Sequence, residues 1–99
     1  MDSTLGISTF ESNNFTLEQN TPNPFALTTL INFTSPRQEN CQLTVYDILG
    51  AVVYSQSIAA NTGRNTIQFS AANLPSGIYL YKLSNAKQTI TRRMIVEGR

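Results

Sequence analysis

Histidine is missing from this sequence altogether. Its absence removes the usual general base at neutral pH, the Ser–His and Cys–His nucleophile pairs, and the commonest metal ligand. Cysteine occurs once, as Cys41, so neither an internal disulfide nor a cysteine-rich zinc site can be built. A lone Cys in a strand pattern reads as a small core residue; the alternative is a half-exposed thiol that cross-links a weak homodimer. Carboxylates are sparse too: Asp2, Glu11, Glu18, Glu39, Asp47 and Glu97 stand singly, not as acid/base pairs. Gly50, Gly63 and Gly77 fall in separate turns, so no phosphate-cradling loop exists. The chain is read as not an enzyme, with no cofactor and no metal.

Long apolar runs are also lacking. No stretch approaches the ~18 apolar residues that span a bilayer, which argues against membrane insertion. The N-terminus carries Asp2 and no basic, apolar leader pattern, so an exported chain of this kind would be a fragment of a longer parent that holds the signal peptide. Charged residues make up only 13%, about half the usual share. The net charge of +1 gives no strong field toward nucleic acid or membrane. Lys82, Lys87, Arg92, Arg93 and Arg99 nevertheless gather at the end of the chain, opposed there only by Glu97. Such a basic end either guards an exposed edge strand or forms a docking stripe for an acidic partner. The interleaved aromatics of a single-strand nucleic-acid binder are absent from it.

What is present suits strands and turns. Thr favours a pleated surface, Asn and Ser favour turns, and four Tyr with five Phe supply bulky core material. A chain of 99 residues makes one domain, burying roughly two-thirds of its unfolded surface. Residues 1–14 show little periodicity beyond Leu5, Ile7 and Phe10 and read as a linker; 15–99 read as the domain. An alternating segment starts with Phe15 and Leu17 and stops at Asn20, and others follow at Thr29–Phe33, Cys41–Tyr46, Ala51–Ile58, Thr66–Phe69, Ile78–Leu83 and Gln88–Val96. Pro22 and Pro24, the Asp47–Gly50 hairpin, Asn61–Gly63, Asn73–Gly77 and Asn85–Lys87 punctuate them. About seven short strands without a helix predict an all-β fold, an immunoglobulin-like antiparallel β-sandwich, with an open barrel as the alternative. Alternation points Leu43, Val45, Ile67, Phe69, Tyr79, Tyr81 and Leu83 inward. Tyr79 and Tyr81 share a face, read as core with hydroxyls reaching the sandwich edge; an exposed carbohydrate-stacking platform is the other reading. The Asn14-Phe15-Thr16 and Asn32-Phe33-Thr34 glycosylation patterns are read as chance matches.

Four segments together resemble one known family. Leu17-Glu18-Gln19-Asn20-Thr21-Pro22-Asn23-Pro24-Phe25 is similar to the opening "L-x-x-N-x-P-N-P-F" of the type A C-terminal sorting domains of the type IX secretion system. Val45-Tyr46-Asp47-Ile48-Leu49-Gly50 resembles the family's "V-Y-D-x-x-G" hairpin, and Leu74-Pro75-Ser76-Gly77-Ile78-Tyr79 its "L-P-x-G-x-Y" element. Thr91-Arg92-Arg93-Met94-Ile95-Val96 resembles the closing basic-apolar motif, with Arg93 where the family often has Lys.

The resemblance implies an immunoglobulin-like tag on a Bacteroidetes-type exported protein. Its expected partners are a cargo fused at its N-terminus, the type IX translocon, and a sortase-like cell-surface peptidase that cuts somewhere from Asp2 to Thr16. Its expected path runs through the periplasm to the cell surface or outside. The motif positions marked as sorting candidates are Asn23, Pro24, Phe25, Asp47, Gly50, Pro75, Gly77, Tyr79, Arg92 and Arg93. A carbohydrate-binding module and a structural spacer are the competing readings. A weak homodimer, through Cys41 or an edge strand, is also open.

Overall fold

Alternation of apolar and polar residues dictates the architecture, because a strand sends successive side chains to opposite faces. A computed structural model describes residues 14–98. Seven strands form: β1 (Thr16–Leu17), β2 (Thr28–Ser35), β3 (Glu39–Asp47), β4 (Val52–Ala60), β5 (Gly63–Ser70), β6 (Gly77–Ser84) and β7 (Thr89–Val96). They build two antiparallel sheets, β1-β2-β5 and β4-β3-β6-β7. The linker expected over 1–14 lies, Asn14 apart, outside the described residues.

The core sits between the sheets. Ile31, Phe33, Ile67 and Phe69 line one inner face, and Leu43, Val45, Tyr81, Leu83 and Met94 line the other. All seven residues expected to point inward are buried, and so is Cys41. The core reading of that thiol holds, since a cross-link through it would first require the sandwich to open.

Strand ends run further than periodicity suggests. β5 starts at Gly63, not Thr66, because β2 continues pairing Phe33 with Asn65, Thr34 with Arg64 and Ser35 with Gly63. Pairing with a neighbouring strand outweighs the weak strand propensity of Gly, Arg and Asn. The first strand, Thr16–Leu17, is shorter than the alternation from Phe15 to Asn20 suggests. After Leu17 the backbone stays tied to β2 by the Glu18 N–H to the Asn32 carbonyl and by a reciprocal pair of bonds between Thr21 and Leu30. A bulge between Val45 and Tyr46 turns both Val53 and Tyr54 of β4 toward the interior. The Tyr54 ring then meets Phe69 of the other sheet edge-on, 5.2 Å between centroids, closing that side of the sandwich.

Candidate recognition surface

Among the described residues, no group of three or more His, Cys, Asp or Glu gathers where a metal could be held. A hollow of about 240 Å³ opens between Val53, Tyr54, Phe69 and Leu74. Burial, and then the charge of Glu39, push the Cys41 thiol above its ordinary pKa, which disfavours the nucleophilic thiolate. Glu39 is held below the usual carboxylate range, chiefly by the Asn85 amide, then by the Ser35 hydroxyl, with Arg37 adding to it. That cluster ties the β2–β3 turn to the β6–β7 turn.

Three of the four motif segments, distant in sequence, meet along β7. The Asn23 carboxamide oxygen accepts the Ile95 N–H at 2.9 Å. The Phe25 N–H donates to the Ile95 carbonyl at 3.0 Å, and the Glu97 N–H donates to the Phe25 carbonyl at 2.8 Å. Phe25 thereby forms a parallel bridge to Val96 while its ring lies buried against Phe69. The Gln19 amide adds a bond to the Arg93 carbonyl at 2.6 Å. An edge strand offers unpaired N–H and C=O groups that invite foreign pairing, and here the Asn-Pro-Phe segment covers them. Pro24 itself is exposed, and the peptide bonds preceding Pro22 and Pro24 are both cis.

Arg92 and Arg93 take opposite faces. Arg92 turns toward the other sheet, where its Nε donates to the Leu17 carbonyl at 2.5 Å. A charge directed inward along an edge strand discourages pairing with another chain, as the guarding reading expects. Arg93 points out from the sheet, opposite Leu80.

Asp47 shapes the β3–β4 hairpin. Its carboxylate accepts the Leu49 and Ala51 N–H groups, each at 2.9 Å, and its carbonyl accepts the Gly50 N–H at 3.0 Å. Gly50 closes the turn at φ 91°, a backbone region that side chains with a Cβ avoid. Gly77 opens β6 beside Val96. Tyr79 is buried, and its hydroxyl donates to the Pro75 carbonyl at 2.6 Å, fixing the Pro75–Gly77 turn onto the sheet.

A polar network at the sandwich edge escaped sequence reasoning. The buried Tyr81 hydroxyl donates to the Glu18 carbonyl at 2.7 Å and accepts the Asn20 N–H at 2.8 Å. The Asn20 amide donates to Thr29 Oγ1 at 3.0 Å and to the Pro22 carbonyl at 3.1 Å, and Thr29 donates to that same carbonyl at 2.8 Å. Burial pushes the Tyr81 phenol up, opposed in part by the Asn20 hydrogen bond and Arg92. The one available signal was Thr29, a polar residue at an inward position of an alternating strand. With Tyr79 and Tyr81 both buried, the carbohydrate platform they would have offered does not form.

Comparison with known proteins agrees with this architecture. A family model described as "Secretion system C-terminal sorting domain" matches residues 21–97. The crystal structure of a DUF3244 family protein with an immunoglobulin-like β-sandwich fold, from Bacteroides vulgatus, is similar at 18% identity and a TM-score of 0.55. That likeness covers 84% of this chain and 96% of the other, and at such identity it shows the fold alone: an immunoglobulin-like sandwich. Among curated proteins, nothing matches the chain.

Proposed function

The chain belongs to the secretion-system C-terminal sorting domains, and on that premise we propose that it is the address of a larger cargo fused at its N-terminus. It directs that cargo through a type IX outer-membrane translocon to the cell surface or outside, and it performs no chemistry of its own. The carrying observation is that the four motif segments, spread from Leu17 to Val96, are drawn together by the fold. Asn23 and Phe25 cover β7, Asp47 pairs with Tyr79, and Gly77 pairs with Val96. A peptide address would need only local sequence. Here the motifs specify a folded surface, which supports recognition of the domain as a whole.

Removal by a surface peptidase fits the same arrangement. Thr16 pairs with Thr34 in the sheet and Phe15 is buried, so the cut falls ahead of Phe15, because proteases need accessible backbone. Fusing the 99-residue chain behind a reporter that carries a signal peptide tests the role in a type IX-competent host. Reporter on the cell surface or in the medium is expected; a reporter that stays in the periplasm would count against it.

A further inference from the structure

The outer face of the four-stranded sheet is divided in two. Near the β3–β4 hairpin, one row crosses all four strands as Val52, Tyr46, Leu80 and Arg93, since Tyr46 pairs with both Val52 and Leu80, and Leu80 with Arg93. Ile78 and Ile95 pair alongside it. Val52 is 58% exposed, Ile78 44% and Leu80 40%, and Leu49 at the adjoining hairpin tip is 91% exposed. The far half of the face is polar, with Gln42, Ser55, Ser57, Ser84 and Thr89. Within the strands of the other sheet, Leu30 is the sole large exposed hydrophobic among the described residues. Apolar residues scattered singly are ordinary on a monomer surface; a contiguous group marks a contact site.

Charge on this face has one sign. Its outward strand positions hold Lys82 and Arg93 and no carboxylate; Glu97 lies past the end of β7 and Asp47 is turned into its hairpin. Lys82 sits over the Tyr46 ring, 5.1 Å from its centroid, and no ion pair holds either cation among the described residues.

We propose, resting on the sorting reading, that this apolar end is the docking face of the domain. Its occupant is a protein partner presenting apolar side chains bordered by carboxylates. Apolar burial supplies affinity, while Lys82 and Arg93 set orientation and reject basic surfaces. A second copy fits poorly, because a two-fold contact through this face brings cations against cations with no carboxylate to receive them. An anionic membrane fits poorly as well, since two cations give roughly a thirtyfold preference for such lipid, too little to hold a protein there.

The test uses the full chain fused to a reporter in a type IX-competent host. Four variants accompany the wild type: Ile78→Thr with Leu80→Thr, Lys82→Glu with Arg93→Glu, Val52→Thr alone, and Leu30→Thr as the control on the other sheet. Each purified domain is melted to confirm that it folds, and the charge-reversed pair at exposed positions guards against loss of folding in the apolar pair. The expected result is export of the control at the wild-type level and a loss of about tenfold in each double variant at unchanged melting temperature. Wild-type export by both double variants would overturn the docking face and leave the sorting role intact. A wild-type fusion retained in the periplasm would overturn the sorting role and this inference with it. Sedimentation of the wild-type domain with phosphatidylglycerol–phosphatidylcholine vesicles, or its self-association, abolished in either case by Ile78→Thr with Leu80→Thr, would replace the protein partner by lipid or by a second copy.

Discussion

Replacing Tyr81 by phenylalanine removes one oxygen from a fully buried ring and leaves the packing otherwise unchanged. That oxygen donates to the Glu18 carbonyl and accepts the Asn20 N–H, so it links β6 to the segment between β1 and the Pro22 loop. Each bond is worth about 1 kcal/mol net, and a buried partner left unsatisfied costs about 1–3 kcal/mol more. Asn20 is buried, whereas Glu18 is half-exposed and its carbonyl can recruit water. The desolvation cost therefore falls mainly on the Asn20 N–H, giving a destabilisation of about 2–4 kcal/mol. For a domain of this size that lowers the melting temperature by about 10–20 °C. Thermal and urea unfolding followed by circular dichroism measure it, with Tyr79→Phe as the comparison. The Tyr79 hydroxyl serves only the Pro75 carbonyl in an exposed turn, so that change should cost about 1 kcal/mol. Equal effects of the two substitutions, or a Tyr81→Phe protein as stable as wild type, would show that the buried Asn20 N–H does not depend on this hydroxyl.

The same phenol sets an alkaline limit. Its folded pKa is raised by burial, so the stabilisation is complete below the ordinary tyrosine value of 10.0 and is lost as pH rises past it; melting temperatures from pH 8 to 11 should fall at the alkaline end, less so in Tyr81→Phe. Cys41 should resist a disulfide reagent in the native protein and react fully in urea, and rapid native labelling would contradict its burial. Asn23→Ala should cost about 1 kcal/mol by taking the acceptor from the Ile95 N–H. It should also raise concentration-dependent aggregation, measured by light scattering, because the β7 edge is then partly uncovered.

Strand identity was legible because period-two alternation survives wherever one face is buried, as Cys41–Val45 and Tyr79–Leu83 show. Less legible were the strand ends. Gly63, Arg64 and Asn65 join β5 only through their partners on β2, a long-range effect that no local pattern carries. The same holds for the recognition surface. Adjacent strand positions put Arg92 and Arg93 on opposite faces, but only the neighbouring strand reveals that Arg92 is occupied with Leu17 while Arg93 stays outside. Asn20 and Asn23 read as turn residues in a proline-rich segment. Their use as a buried hydrogen-bond hub and as a cover for β7 depends on residues more than sixty positions away.

That the folded domain acts as an export address is tested most directly by one ratio, extracellular to periplasmic reporter, for the full-chain fusion in a type IX-competent host and in an isogenic host lacking the translocon. A high ratio is expected in the first and accumulation in the periplasm in the second. Equal ratios in the two hosts would contradict that role.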